Sequence, residues 1–399
     1  MDSINYTQMV GTVKHSIPVQ DIFSFCDSIG RQLIKDWKKL AKIFSPSKNE
    51  RIRAEYITKR FNEIGLDEVE IDQHGNAVGS IEGKQPGPTI VFFGTMDDLA
   101  TVAEMVKQWE GPIQERDGKL IGPGTNSSAT CTTILGLAYL FTQTNLNLRG
   151  RIYLVGLVQE ETGLTGIKGF LEDRPNEIDY IIDIMAGIGR ISYGALGINW
   201  FKVHFTGPKA HTLRGDGPNV TKGVAKAVNI IWELTRPSEP ESKKVFLNIS
   251  MLGAGKVFNH RHNDGWFSVD LRSSDNYNLN SFKSEIIKIV EKVAEDEELG
   301  CWIEEVSGSP AGIIPGSRNS PLVRIAEEAT KSLGYDVMVS SRGSSNMNVG
   351  INQNILSIST GGSRGGQRNT PDEYANIEPV LTGIKLNFLI GYILSTHIR

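Results

Sequence analysis

The sequence predicts a two-domain α/β protein: a domain with a mostly parallel central sheet flanked by helices, interrupted by a small inserted domain of ferredoxin-like α+β order. Three observations carry this. A length of 399 residues, with 39% apolar and 22% charged content, suffices for two hydrophobic cores. Short β-rich runs alternate with helical patterns on both sides of the middle of the chain, as in a sheet covered by helices. Between them, residues 197–311 follow a β-α-β-β-α-β order. The larger domain is thus expected to be discontinuous, residues 1–196 and 312–399.

Taken in order, the segment after Ser47 places Ile52, Tyr56, Ile57, Phe61, Ile64 and Leu66 near one face at helical spacing and stops at Gly65, which predicts an amphipathic helix. VEIDQHGNAVGSI, TIVFFGTMDD and RIYLVGLVQEE read as strands punctuated by glycine, with ATCTTILGLAYLFTQT as a helix before the last of them. The inserted region runs WFKVHFTG, the helix TKGVAKAVNIIWELT, FLNISMLGAG, WFSVDLRSS and the helix LNSFKSEIIKIVEKVAE. The first pattern returns with SPLVRIAEEATKSLG, the strand NILSIST and a last helix from Glu378.

A net charge of −4 and a pI near 6.0 provide no broad attraction to nucleic acid or anionic membranes, so neither is expected as a partner. Cys26, Cys131 and Cys301 are an odd number at unrelated spacings, which argues against a disulfide framework or a cysteine zinc site and fits a reducing compartment. The N-terminal MDSINYTQMV lacks a basic stretch followed by an apolar one, and no run approaches the roughly 20 apolar residues of a membrane helix. A cytoplasmic location is expected.

SPSKNE, FFGTMDDLA, GPGTNSSA, VQEETGLTG, TGPKAHT, FNHRHNDGWFSVDLRSSD, RGSSNMNV and GGQRNTPDEY follow one another from Ser45 to the C-terminal region. In this order they resemble the zinc-dependent peptidase and deacylase family of aminoacylase, acetylornithine deacetylase, glutamate carboxypeptidase and peptidase T. The resemblance implies a catalytic α/β domain interrupted by a lid that commonly mediates dimerisation, and hence a homodimer. It also implies metal ligands at defined positions, and here most have changed. The strand-end H-x-D reads Thr95, Met96, Asp97; the bridging carboxylate of G-x-G-x-x-D is Ser127; the last His, before T-P-D-E, is Asn369. A further carboxylate position aligns with Met185, with Asp183 close by. Glu160, the family's general base, and Glu161, a zinc ligand in relatives, are retained. None of the seven histidines falls at a ligand position. Hydroxyl, amide and thioether groups are poor ligands for zinc, so no metal cofactor is expected.

The remaining candidates follow from the same motifs. Asp97, Glu160 and Glu161 are expected to crowd one site and to raise at least one carboxyl pKa by mutual repulsion. Ser127, Ser128 and Cys131 lie on a glycine-rich loop entering a helix, where a nucleophile is conceivable; the plainer reading has Ser127 filling a vacated aspartate site and Ser128 capping the helix. By resemblance, His211 polarises a substrate carbonyl and Asn259 contacts substrate, with Arg261 and His262 adding donors. Arg272 reads as a brace for the lid sheet beside Asp270. Asn346 replaces an acidic residue, and Arg342, Asn348, Arg364 and Arg368 are available to a carboxylate or amide. Thr95, Asp97, Ser127, Glu161, Asn259, Arg261, Arg342, Asn348 and Asn369 are therefore expected to bind substrate, and Glu160 and His211 to be catalytic. The expected function is metal-independent action on an amide, imide or related acyl bond of a small amino-acid-derived substrate. Two alternatives stand beside it: a non-catalytic metabolite-binding or regulatory protein, and a hydrolase with one metal held by Glu161, Asp97 and Asp183.

Overall fold

The structure is a computed structural model, and it describes residues 5–143, 146–234, 244–362 and 365–398. Thr144 and Thr235, the last residues assigned above to two helices, lie outside the described residues, as does Arg364. The chain divides into two compact units, Met1–Gly194 with Ile313–Arg399, and Ala195–Gly312.

The larger unit opens with helices the sequence reading did not assign, α1 (Tyr6–Lys14), α2 (Ile17–Ser28) and α3 (Gly30–Ala41). The helix expected after Ser47 is α4 (Arg51–Ile64), closed by Gly65 in a left-handed conformation at φ 92°. Its buried face includes Ile57 and Phe61 as the apolar spacing suggested, with Tyr56 and Ile64 packed at its edge; Ile52 departs from that face at 63% exposed, and Arg53 is fully buried beside Ala54. Next come β1 (Glu68–Ile71), β2 (Ala77–Glu82), β3 (Gln85–Thr95), α5 (Ala100–Gln108), β4 (Gln114–Arg116), β5 (Lys119–Ile121), α6 (Ser127–Phe141), β6 (Arg149–Leu157), α7 (Thr165–Glu172), β7 (Tyr180–Ile184) and β8 (Arg190–Ser192).

The smaller unit contains β9 (Gly197–Thr206), β10 (Ala210–His211), α8 (Val220–Glu233), β11 (Val245–Asn248), β12 (Leu252–Ala254), β13 (His260–Arg261), β14 (Asp264–Ser273), α9 (Asn276–Asp296) and β15 (Gly300–Ser309). Its main sheet runs β11-β14-β9-β15, all antiparallel, with β12 also paired to β14. The run FLNISMLGAG is therefore two short strands, β11 and β12. Alternation along β9 and β14 sends Phe201, Val203, Phe205, Phe267, Val269 and Leu271 into one core with residues of α8 and α9. Arg272 forms the ion pair expected with Asp270, at 3.1 Å, with both partners on the one strand β14.

The chain returns to the larger unit with α10 (Pro321–Ser332), β16 (Met338–Ser340), α11 (Met347–Asn352), β17 (Leu356–Thr360), β18 (Gly365–Gly366), β19 (Tyr374–Asn376) and α12 (Ile377–His397). Its central sheet has the order β1-β2-β6-β3-β7-β17-β8-β16. The inner strands β6, β3, β7 and β17 are parallel, whereas β1-β2, β2-β6 and β17-β8 pair antiparallel, so the sheet is mixed. Ile90 and Phe92 of β3 face a core built with α4, α6 and α12, while Val91 and Phe93 face Ile167 and Phe170 of α7. Contrary to the sequence expectation, α12 is long and apolar enough by length and composition to cross a membrane. Its residues from Leu386 to Leu394 are largely buried in the unit's core, which accounts for that composition.

Candidate active site

Thr95 ends β3 opposite Leu157, which ends β6, and Met185 follows the end of β7. The carboxyl ends of parallel strands are where open α/β sheets bind ligands. A cavity there is lined by Thr95, Asp97, Leu99, Val102, Asn126, Ser127, Thr130, Glu161, Met185, Arg368 and Glu373. Of the expected substrate-binding residues, Thr95, Asp97, Ser127 and Glu161 are thus brought together.

The Glu160–Glu161 turn is held from below by two carboxylates. Asp97 Oδ1 accepts the Glu160 N–H and Asp97 Oδ2 the Glu161 N–H, each at 3.0 Å, and Ser47 Oγ donates to Oδ2 at 2.6 Å. Glu50 accepts the Gln159 N–H at 2.9 Å. Three consecutive amides are so fixed, with Gln159 at φ 55°, a strained setting for a non-glycine residue. Asp97 is therefore a clamp for the turn and not a third charge crowding Glu160 and Glu161. Its carboxyl pKa is raised, as expected, but the leading cause is burial. Glu161 lines the cavity; Glu160 is half-buried on the same turn and outside that lining.

Ser127 donates its hydroxyl to Asp98, and Asp98 forms a fully buried two-pronged ion pair with Arg53, at 2.9 and 3.1 Å. The Arg53 guanidinium also donates to the Met96, Leu40 and Ile43 carbonyls. This supports the plainer reading of Ser127. Ser128, however, does not cap α6: its hydroxyl donates to the Gly124 carbonyl, and the residue before the helix is Asn126. Cys131 is buried, its thiol donates to the Thr95 carbonyl at 3.1 Å, and burial pushes its pKa up to about 12, which removes it as a nucleophile.

The side chains at the positions where the resemblance implies metal ligands are bonded to their neighbours. The Thr95 hydroxyl donates to the Met185 thioether at 3.2 Å and accepts from Asn346 Nδ2 at 3.3 Å. Asn369 sits at φ 62° on an exposed loop and accepts from Thr101 Oγ1 at 2.7 Å, outside the cavity lining. Asn348 is fully buried, accepts the Ser345 N–H at 3.5 Å and lies outside the lining of this cavity. Arg342 is half-buried outside the lining. Asp183 is also fully buried; it accepts the Met347 N–H at 3.1 Å, and burial pushes its pKa up to about 6.

These residues do not fit the paired dications that the resemblance implies. Hydroxyl and thioether groups take the place of imidazole and carboxylate, and among the described residues no three His, Cys, Asp or Glu side chains gather closely enough to hold a metal ion. The alternative triad of Glu161, Asp97 and Asp183 fails on the same geometry, since Asp97 is engaged with backbone amides and Asp183 lies beneath the site.

In the smaller unit, the pairing of β10 with β13 sets His211 opposite His260 and Ala210 opposite Arg261. His211 Nδ1 accepts the Leu213 N–H at 3.1 Å, which leaves the proton of the neutral ring on Nε2. That nitrogen is 3.5 Å from the Asn259 carboxamide, and the His260 ring stands edge-on at 4.9 Å. His211, Asn259 and His260 thus form one local cluster, with Arg261 in the adjoining strand pair, while His262 engages the backbone of Asp264. Sequence reasoning missed Arg53, Asp98, Glu50 and Glu373. A charged residue inside an apolar helix stripe was the available signal for Arg53.

The comparisons with known proteins agree with this architecture. The family model for peptidase family M20/M25/M40 matches residues 91–389. A putative LysW-lysine/LysW-ornithine hydrolase of Thermococcus kodakarensis is 31% identical over 160 residues, which span 40% of this chain and 41% of that protein. N-acetyl-L-cysteine deacetylase of Bacillus subtilis is 21% identical over 333 residues, 77% of each chain. Among solved structures, a di-peptidase from Saccharomyces cerevisiae superposes with a TM-score of 0.76 at 13% identity, covering 96% of this chain and 99% of that one. A tripeptidase from Staphylococcus aureus gives 0.74 at 20% identity, covering 92% and 98%. With three-quarters of its length matched by the family model and its fold shared with family peptidases, the chain belongs to peptidase family M20/M25/M40.

Proposed function

We propose that the protein is a metal-independent enzyme acting on an amide, imide or related acyl bond of a small amino-acid-derived substrate, with Glu160 as general acid and base. The supporting observation is the turn at 159–161: three amides anchored by Asp97 and Glu50 hold Glu161 in the lining of a cavity, and Glu160 next to it on the same turn, where Thr95 and Met185 put a hydroxyl and a thioether in that lining. A carboxyl group placed this way moves a proton between water, or a substrate N–H, and the bond being made or broken, in hydrolysis or its reverse. His211, with its Nε2 proton, is assigned the polarising of the carbonyl, and Asn259 and Arg261 the holding of substrate. The relatives' names, an N-acetyl-L-cysteine deacetylase and a putative LysW-lysine/LysW-ornithine hydrolase, support a substrate of this class.

Glu160→Gln is expected to lower turnover at least ~100-fold with little change in KM, in line with the usual contribution of acid–base catalysis; full activity in that variant sinks the assignment. Elemental analysis of protein purified without chelators tests the metal claim, and stoichiometric zinc or manganese refutes it. The reading also takes Ala195–Gly312 as lid and dimerisation domain, and a monomeric mass by light scattering removes that part.

A further inference from the structure

The side-chain hydroxyls that line the cavity at the end of β3 have spent their protons on the protein. Thr95 donates to the Met185 thioether, Ser127 to Asp98, and Thr130 to the Ser127 carbonyl at 3.0 Å. Asn126 Nδ2 donates to the Tyr374 carbonyl at 2.8 Å, which fixes the orientation of the carboxamide. Its Oδ1 is left buried without a donor among the described residues, on a side chain that is 5% exposed. Gly365 lies against that oxygen, and a Cβ there would clash with it, so only glycine leaves it uncovered. Glu373, 1% exposed, accepts the Asn126 N–H through Oε1 at 2.9 Å and has no ion-pair partner among the described residues. Burial raises its pKa above the ordinary carboxylate value. Arg368, the base in the lining, is exposed and stands too far from Glu373 to pair with it. Leu99, Val102 and Met185 give the cavity an apolar wall.

We propose that this cavity binds a primary ammonium group on a short aliphatic stem, with Glu373 and Asn126 Oδ1 as its acceptors, so that the substrate carries a free amine. A buried carboxylate without a cation and a buried carboxamide oxygen without a donor are each costly, and one group that is positive and carries several hydrogens relieves both. Holding the start of α6 accounts for Glu373 Oε1 alone and leaves Asn126 Oδ1 without a purpose. The apolar wall favours an alkylammonium over a bare metal ion, which gains nothing from Leu99 and Val102. This inference rests on the reading of the cavity as the substrate site and names the class of substrate; it does not rest on Glu160 as the proton-transfer group.

The test is isothermal titration calorimetry of the full-length protein at neutral pH with n-butylamine hydrochloride, n-butanol serving as the uncharged probe of the same stem, in sodium chloride at constant ionic strength. Saturable butylammonium binding is expected, at least roughly tenfold tighter than that of butanol and weakened at least roughly tenfold by Glu373→Gln, which keeps an oxygen for the Asn126 N–H. Arg368→Glu changes an exposed residue and carries the test if Glu373→Gln disturbs folding, which far-UV circular dichroism reports. It adds a carboxylate to the lining and is expected to tighten butylammonium binding at least about threefold. The two readings fail separately, since absence of butylammonium binding removes the amine assignment whatever Glu160→Gln does to turnover. No saturable butylammonium binding, butanol bound as tightly, or unchanged affinity in the correctly folded variants overturns the proposal.

Discussion

The Arg53–Asp98 pair is a residue-scale device with large consequences. Both side chains are fully buried, and the guanidinium also satisfies three backbone carbonyls around the strand end that carries Thr95 and Asp97. Removing one partner strands a charge in the interior, so Asp98→Ala is expected to lower stability by about 3–5 kcal/mol. Chemical denaturation of the variant checks this, and a loss below about 1 kcal/mol contradicts it. Asp183 offers a test in pH. Its folded pKa, about 6, lies above the unfolded value of 3.8, so between them the folded protein holds a proton that the unfolded chain has released. The contribution of Asp183 to stability therefore falls as pH rises through that window. Asp183→Asn lacks this dependence and is expected to gain on the wild type from acid to neutral pH by up to about 3 kcal/mol, read from urea midpoints across the range. An unchanging difference rules it out.

At the scale of elements, the core of the larger unit depends on how closely α6 and α12 approach. Gly136 of α6 faces Ile384 of α12, and a Cβ there would meet three Ile384 side-chain atoms at 2.5–3.0 Å. Gly136→Val is expected to cost about 1–3 kcal/mol through overpacking, despite removing a helix-weakening glycine. A thermal scan showing equal or greater stability contradicts this. The same packing explains α12, which reads as a membrane-length apolar helix when taken alone and is a core helix in the fold. Helix α4 shows the converse: its apolar periodicity and most of its buried face were legible, but Ile52 is exposed and Arg53 takes a core position that an ion pair with Asp98 makes tolerable.

For the whole molecule, the two units have separate hydrophobic clusters, that of Ala195–Gly312 being built from its own sheet and helices. Four of the six tryptophans, Trp200, Trp232, Trp266 and Trp302, lie in the smaller unit, with Trp37 and Trp109 in the larger. Urea unfolding followed by tryptophan fluorescence is accordingly expected to report mainly the smaller unit and to differ in midpoint from far-UV circular dichroism. Superimposable curves with calorimetric two-state behaviour contradict it.

By itself the sequence determined the alternation of elements and the change of pattern near residue 197, and it carried the Glu160–Glu161 pair and the hydroxyl, amide and thioether side chains of Thr95, Ser127, Asn369 and Met185 on which the proposed reading of the site rests. Those features are local: periodicity, turn residues and motif spacing are written in neighbouring positions. The tertiary structure alone decided that Asp97 clamps a turn, that Asn348 and Asp183 are interior, that Asn369 leaves the cavity, and that Arg53, Asp98 and Ser127 form one array. Each depends on hydrogen bonds or burial between segments far apart in the chain, where an unpaired buried charge is costly and partner choice is set by packing.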